Sequence, residues 1–232
     1  MLYFFWPCPG RKRAFRSAAS TSPHRCNGDL SYGRITDGAK KKTKVTISLV
    51  QANIVDMIHA GMLDVAIHSC NCYHRMGSGA AKAISEAFPA VLEADMKTKR
   101  GDKNKVGTYS HAVIHLPSEQ PVVIINAYTQ HHYGVYHYRE GSFDYAALDS
   151  VFSAIQRRLG AKGLRMAMPF IGADRGNAVP GEIMSLIHKH FKDENMSVTL
   201  LPEEGRRIKP AMRPYYNDAS LVSIPHSGAT AS

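Results

Sequence analysis

The chain has 232 residues, 44% of them hydrophobic, with 29 Lys and Arg against 19 Asp and Glu. That is enough for one domain with a full core, and no run nears the roughly 18 apolar residues of a membrane span. The charge is uneven: residues 1–44 hold ten Lys and Arg against Asp29 and Asp37, 45–200 hold fifteen against fourteen, and 201–232 hold four against three. The basicity therefore belongs to the N-terminal arm and says little about what the rest of the chain binds.

Residues 1–43, with RKRAFR at 11–16 and a lysine run at 40–42, lack periodicity and read as a disordered basic arm. MLYFFWP precedes the basic residues and is too short for a secretory signal. The composition suits a transit peptide, a nucleic-acid-binding arm or a start codon set too far upstream, and the last is our expectation. Any nucleic-acid partner is expected through this arm alone. Cys8, Cys26, Cys70 and Cys72 show neither a disulfide framework nor a zinc-type Cys-x-x-Cys pair. Reduced thiols and a cytoplasmic location follow as expectations.

From residue 44 the pattern alternates. Strands are expected at 44–50, 63–69, 108–116, 122–128, 164–168 and 197–201, and helices at 54–60, 79–88, 90–97, 143–159 and 181–191. In the long helix Ala147, Val151, Ala154, Ile155 and Leu159 recur at near-helical spacing, and Gly160 and Gly163 follow it. Pro180 suits a first helical turn. Such alternation implies an α/β fold, a three-layer αβα sandwich around a mixed, largely parallel six-stranded sheet. Ligands on such sheets lie beyond the carboxyl ends of the strands. Residues 202–232 read as a partly ordered extension that frays.

The most informative stretch is AIHSCNCYHRMGSGAAKAI, residues 66–84. A buried strand runs into a polar loop, Gly77 and Gly79 let the backbone turn, and a helix begins at once. Its unpaired N–H groups and positive dipole end make an anion cradle suited to phosphate or pyrophosphate. An ordinary strand–turn–helix with Ser78 as N-cap reads the local pattern equally well. Seven histidines (His68, His74, His111, His115, His131, His132 and His137) fall between the second strand and the long helix. None shows a metal-helix spacing, and no metal or other cofactor is expected.

Four segments in order resemble the macrodomain family. They are VTISLVQANI (45–54), IHSCN…MGSGAAKAI (67–84), NAYTQHHYG (126–134) and LRMAMPFIGADRGN (164–177). The third is similar to a strand end in the branch that includes phage and yeast ADP-ribose-phosphate phosphatases. The resemblance covers about residues 44–201, the expected domain. It implies binding of ADP-ribose or ADP-ribose 1″-phosphate and hydrolysis of the latter to ADP-ribose and phosphate. Release of ADP-ribose from modified macromolecules and a non-catalytic reader are the alternatives. A monomer without membrane attachment is expected.

By the same resemblance Asn53 stands where the family has an Asp that accepts from the adenine amino group, with Ile54 beside it. An amide oxygen can accept that bond without charge. Asn53 also reads as a helix cap, and Asn71, matched to the distal-ribose asparagine and assigned a catalytic positioning role, also reads as a turn residue. Gly77, Ser78, Gly79 and Ala80 would serve the phosphates and distal ribose. Ile171, Gly172, Ala173, Arg175, Gly176 and Asn177 would grip the other side of the pyrophosphate. Asp174 is a candidate water-activating base, equally readable as a surface turn with Arg175, and His132 a candidate acid. Tyr128, Tyr133, Tyr136 and Tyr138 are candidates to stack on adenine, although packing is the usual role of such residues. His68 reads as a satisfied core histidine near the pocket.

Overall fold

The computed structural model describes residues 47–117, 120–133, 143–172, 178–201 and 208–224. In chain order these form β1 (Ser48–Gln51), α1 (Ile54–His59), β2 (Val65–Asn71), α2 (Gly79–Ala87), α3 (Pro89–Met96) and β3 (Tyr109–His115). Then come β4 (Pro121–Gln130), α4 (Tyr145–Leu159), β5 (Arg165–Pro169), α5 (Pro180–Phe191), β6 (Asn195–Leu200), α6 (Arg213–Tyr216) and β7 (Val222–Ser223). The basic arm lies outside the described residues.

Strand order is β3-β4-β2-β5-β6-β1-β7. Only β3 runs antiparallel to its neighbour; the other pairings are parallel. Alternate strand residues serve the two faces of the sheet. Leu49, Val65, Ile67, Ile125, Met166, Met168 and Val198 pack with Leu148, Val151, Phe152 and Ile155 of α4 and Ile183, Ile187 and Phe191 of α5. Val50, Ala66, Cys70, Ile124 and Ala167 pack on the other side with Ile54 and Ile58 of α1, Ile84 of α2 and Val91 of α3. Helices thus cover both faces of the parallel centre of the sheet, which is why its inner strands read as near-continuous apolar runs.

The expected helices and six strands are present within a few residues of their predicted bounds, but the sheet has seven strands. Short β7 adds parallel to β1, pairing Val50 with Val222 and Gln51 with Ser223. Residues 208–224, read from sequence as part of a fraying extension, therefore return to the sheet edge. Met212 is buried there against Leu200, with Phe170, Ile208, Tyr215, Tyr216 and Leu221 around them.

Two local features position the strand ends. Opposite the cleft-forming ends, Asp64 accepts from Arg165 Nη2 at 2.8 Å, Arg165 Nε at 3.2 Å and the Arg165 backbone N–H at 2.8 Å. Burial pushes the Asp64 carboxyl up, but these bonds and the Arg165 charge outweigh it and hold the pKa below 3.8. At the other end, Cys70 pairs with Tyr128 but Asn71 pairs with Gln130, leaving Thr129 as an extra residue on β4. Such a bulge bends the strand pair and re-aims the side chains beyond it.

Candidate functional site

A cleft of about 570 Å³ opens at the carboxyl ends of β1, β2, β5 and β6, where a parallel α/β sheet places its ligands. That volume lies in the usual range for small-molecule sites. Asn53 and Ile54 line one end with Thr199, Leu200, Leu201, Ile208 and Lys209, and residues 68–71, Arg75 and Ser78–Ala81 line the β2–α2 side. Among the described residues the lining contains two cationic side chains, Arg75 and Lys209, and no Asp or Glu. The cleft is therefore suited to an anion.

The β2–α2 turn supplies the cradle. Ser78 occupies the N-cap position of α2 without a side-chain cap bond. Among the described residues the first N–H groups of the helix thus have no side-chain cap, and Gly79, Ala80 and Ala81 all line the cleft. Gly79 has φ +58°, and a Cβ built there would meet no atom within 4 Å. Its glycine identity serves a left-handed backbone beside open cleft space. Gly77 has no positive φ and does not line the cleft, so of the two glycines Gly79 carries the left-handed backbone.

Asn53 is the N-cap of α1, its Oδ1 accepting from Val55 N–H at 2.9 Å. Asn71 holds the loop that follows β2: its Oδ1 accepts from Tyr73 N at 2.9 Å and Arg75 N at 3.3 Å, and its Nδ2 donates to Arg75 O at 2.7 Å. The loop includes His74 at φ +60°, a conformation costly for a non-glycine residue that these bonds sustain. Asn71 lines the cleft as expected, with its amide largely committed to that loop.

His68 also lines the cleft, although the side chain is fully buried. Asn126 Nδ2 donates to Val91 O and Ser110 Oγ, so its Oδ1 accepts from His68 Nε2 at 2.7 Å. Burial lowers the His68 pKa from 6.5 to about 4, against opposition from that bond and the Asp95 charge. It is a neutral core histidine with Nδ1 3.6 Å from Cys70 Sγ. Cys70 and Cys72 are buried free thiols. Burial raises Cys70 well above its ordinary pKa and Cys72 to about 11, so neither is an activated nucleophile.

Three further expected site residues, Tyr128, His132 and Tyr133, do not line the cleft. Tyr128, a candidate ligand contact, is 1% exposed in the core between the sheet and α3. Its hydroxyl donates to Asp95 Oδ1 at 2.8 Å and lies 2.7 Å from Ser110 Oγ, and burial raises its pKa. The buried Asp95 carboxylate is balanced by Lys105 Nζ at 3.2 Å, which also sits 4.2 Å from the Tyr128 ring centre. This ion pair was not anticipated. His132 is absent from the cleft lining; its Nδ1 donates to Tyr133 O at 2.8 Å and its ring stacks on Tyr133 with centres 4.8 Å apart.

Ile171 and Gly172 line the cleft from the β5 side. Gly172 has φ +74°, and a Cβ there would lie 2.6 Å from Phe143 Cδ2. Ala173, Asp174, Arg175, Gly176 and Asn177, with Tyr136, Tyr138, His137, Cys8 and Cys26, lie outside the described residues. Sequence reasoning missed Arg75, Gln130, Phe170, Thr199, Lys209 and Tyr216 in the lining. Arg75 alone carried a signal, as a cation two residues before Gly77 and four before Gly79.

No protein-family model matches the chain. A 17.5 kDa protein of bacteriophage T4, described as uncharacterized and encoded in the tk-vs intergenic region, is 36% identical over 103 residues. The match spans 44% of this chain and 61% of the phage protein. The macrodomain of Thermus aquaticus DarG superposes with a TM-score of 0.52 at 21% identity, over 68% of this chain and 98% of that one. A Bacteroides thetaiotaomicron protein gives 0.54 at 20% identity, over 66% and 98%. These likenesses, with the αβα layers and the cleft at the strand ends, establish that the chain has the macrodomain fold.

Proposed function

We propose that the cleft binds an ADP-ribose-type ligand and that the chain hydrolyses ADP-ribose 1″-phosphate to ADP-ribose and phosphate. The observation that carries the binding reading is a cleft without a described carboxylate, bordered by Arg75 and Lys209 and floored by the uncapped start of α2. Such a surface attracts a pyrophosphate without like-charge repulsion. The base would lie at the Asn53 and Ile54 end, and the distal ribose between Asn71 and Gly79. The partial match to the phage protein agrees with the phage branch named by the sequence resemblance.

For hydrolysis a base must activate water at the phosphorus atom. With no carboxylate in the described lining and His68 neutral and buried, we assign that role to Asp174, two residues after Gly172 in sequence. Ala173, Arg175, Gly176 and Asn177 of the same loop would hold the phosphates. A non-catalytic reader is the second reading, favoured by the commitment of the Asn71 amide to its own loop.

Phosphate release from ADP-ribose 1″-phosphate by the full chain, with calorimetric titration of ADP-ribose, tests both. Turnover that vanishes in Asp174→Ala while binding persists supports the phosphatase. Binding without phosphate release supports a reader, unless ADP-ribose is freed from a modified macromolecule. In Gly79→Glu the carboxylate enters the cradle, and unchanged ADP-ribose affinity in that folded variant would refute the cleft assignment.

A further inference from the structure

We propose that Asn53 makes the base end of the cleft a hydrogen-bond donor, so that the site favours a nucleoside diphosphate-ribose whose base carries a ring carbonyl over one carrying an amino group. The inference rests on reading the cleft as a nucleoside diphosphate-ribose site and goes beyond it by specifying the base.

Its basis is the orientation of one side chain. Asn53 lines the cleft and is half-buried. A backbone N–H requires an acceptor, so the bond from Val55 N at 2.9 Å assigns Oδ1 to the cap and leaves Nδ2 on the opposite edge of the planar amide. Among the described residues no acceptor for Nδ2 is found. Nδ2 is a donor only, and it meets a base carbonyl oxygen favourably and a base amino group unfavourably. The cap oxygen retains a second lone pair. It is neutral and already engaged, so it accepts from an amino group less strongly than a charged carboxylate would.

The surroundings reinforce the polarity. Ile54, Leu200, Leu201, Ile208 and Met212 are apolar, and Lys209 adds a second group that only donates. No described carboxylate lines that end. A 6-keto purine therefore finds a donor for its oxygen, whereas a 6-amino purine finds among the described lining side chains at that end only neutral acceptors, the shared cap oxygen and the hydroxyls of Thr199 and Tyr216.

The test is calorimetric titration of the full chain with ADP-ribose and with its 6-keto counterpart, inosine diphosphate-ribose, repeated in Asn53→Asp. Aspartate caps helices as well as asparagine, so the variant keeps α1 while replacing the donor with a charged acceptor. The wild-type chain is expected to bind the keto ligand at least as tightly as ADP-ribose. The substitution is expected to move the affinity ratio toward ADP-ribose by about tenfold, the scale of one hydrogen bond gained and one lost. A wild-type preference for ADP-ribose above about fivefold, or a ratio unmoved by Asn53→Asp, overturns the inference while leaving the cleft reading intact. Binding of neither ligand overturns both.

Discussion

The Asp95–Lys105 pair offers the sharpest test of the energetics read from this fold. Asp95 is 1% exposed, and the Lys105 ammonium lies 3.2 Å from its Oδ1. At that separation and an effective dielectric of about 20 the attraction is about 5 kcal/mol, most of it spent against desolvation of both ions. Removing one partner leaves the other charge buried without its nearest counter-ion, at a cost of about 3–5 kcal/mol. Lys105 has a second contact, with Cys72 O at 3.4 Å; Asp95 Oδ1 also lies 3.7 Å from His74 Nε2, while its Oδ2 is buried without a partner, so Lys105 at 3.2 Å is its nearest counter-ion. Asp95→Asn keeps an acceptor for the Tyr128 hydroxyl but removes the charge; Lys105→Met keeps the aliphatic stem over the ring. Urea unfolding of the wild type, both single variants and the double variant gives the coupling energy. Each single substitution is expected to lose about 3–5 kcal/mol, and the double variant to recover at least about 2 kcal/mol of their sum. Singles costing under about 1 kcal/mol and adding without coupling would refute the argument, since they would mean that water reaches the pair.

His68 sets a pH dependence. Its folded pKa of about 4 lies below the ordinary 6.5, so the unfolded chain binds the extra proton. Stability is complete above pH 6.5 and falls as pH drops toward 4, by about 3 kcal/mol from this group. Asp95, Cys70 and Asn126 are its neighbours, so His68→Gln, which retains a donor for Asn126, isolates it. A thermal unfolding profile as steep in that variant as in the wild type contradicts the assignment. Gly172→Ala places a Cβ 2.6 Å and 2.7 Å from Phe143 ring atoms and 3.1 Å from Ala178 Cβ at φ +74°. Overpacking and a left-handed backbone together are expected to cost about 2–4 kcal/mol, read as a lower urea midpoint. The buried Cys70 and Cys72 thiols, with raised pKa values, are expected to resist alkylation at neutral pH until the chain unfolds, as peptide mass mapping would report. Rapid native labelling of that peptide would show that the β2 end opens.

How much was legible in advance differs by residue, for physical reasons. The continuous apolar runs Val65–Ile67 and Met166–Met168 announced buried strands, because a strand covered on both faces is apolar on both. The spacing in Ala147–Leu159 announced a helix, and Gly79 beside a helix start announced the cradle, because such signals lie within one or two turns of chain. Asn53 and Asn71 were recognised both as cap or turn residues and as site residues, and the structure gives each both positions: a local hydrogen bond and a place in the cleft. Tyr128 was misplaced because the residues that draw it inward, Asp95 and Ser110, lie 33 and 18 positions away.

The local pattern of this chain by itself determined the strands, the long helices, their order and the glycine-bearing turn before α2, since propensity, capping and side-chain period act between near neighbours. Tertiary structure alone decided the buried Asp95–Lys105 pair, the seventh strand, the wall built by residues 208–216 and which edge of the Asn53 amide is left for the cleft. Each of these depends on groups brought together from distant positions or on the partner that one side chain selects. Packing and hydrogen-bond satisfaction over the whole domain settle such choices, and no local window of sequence contains them.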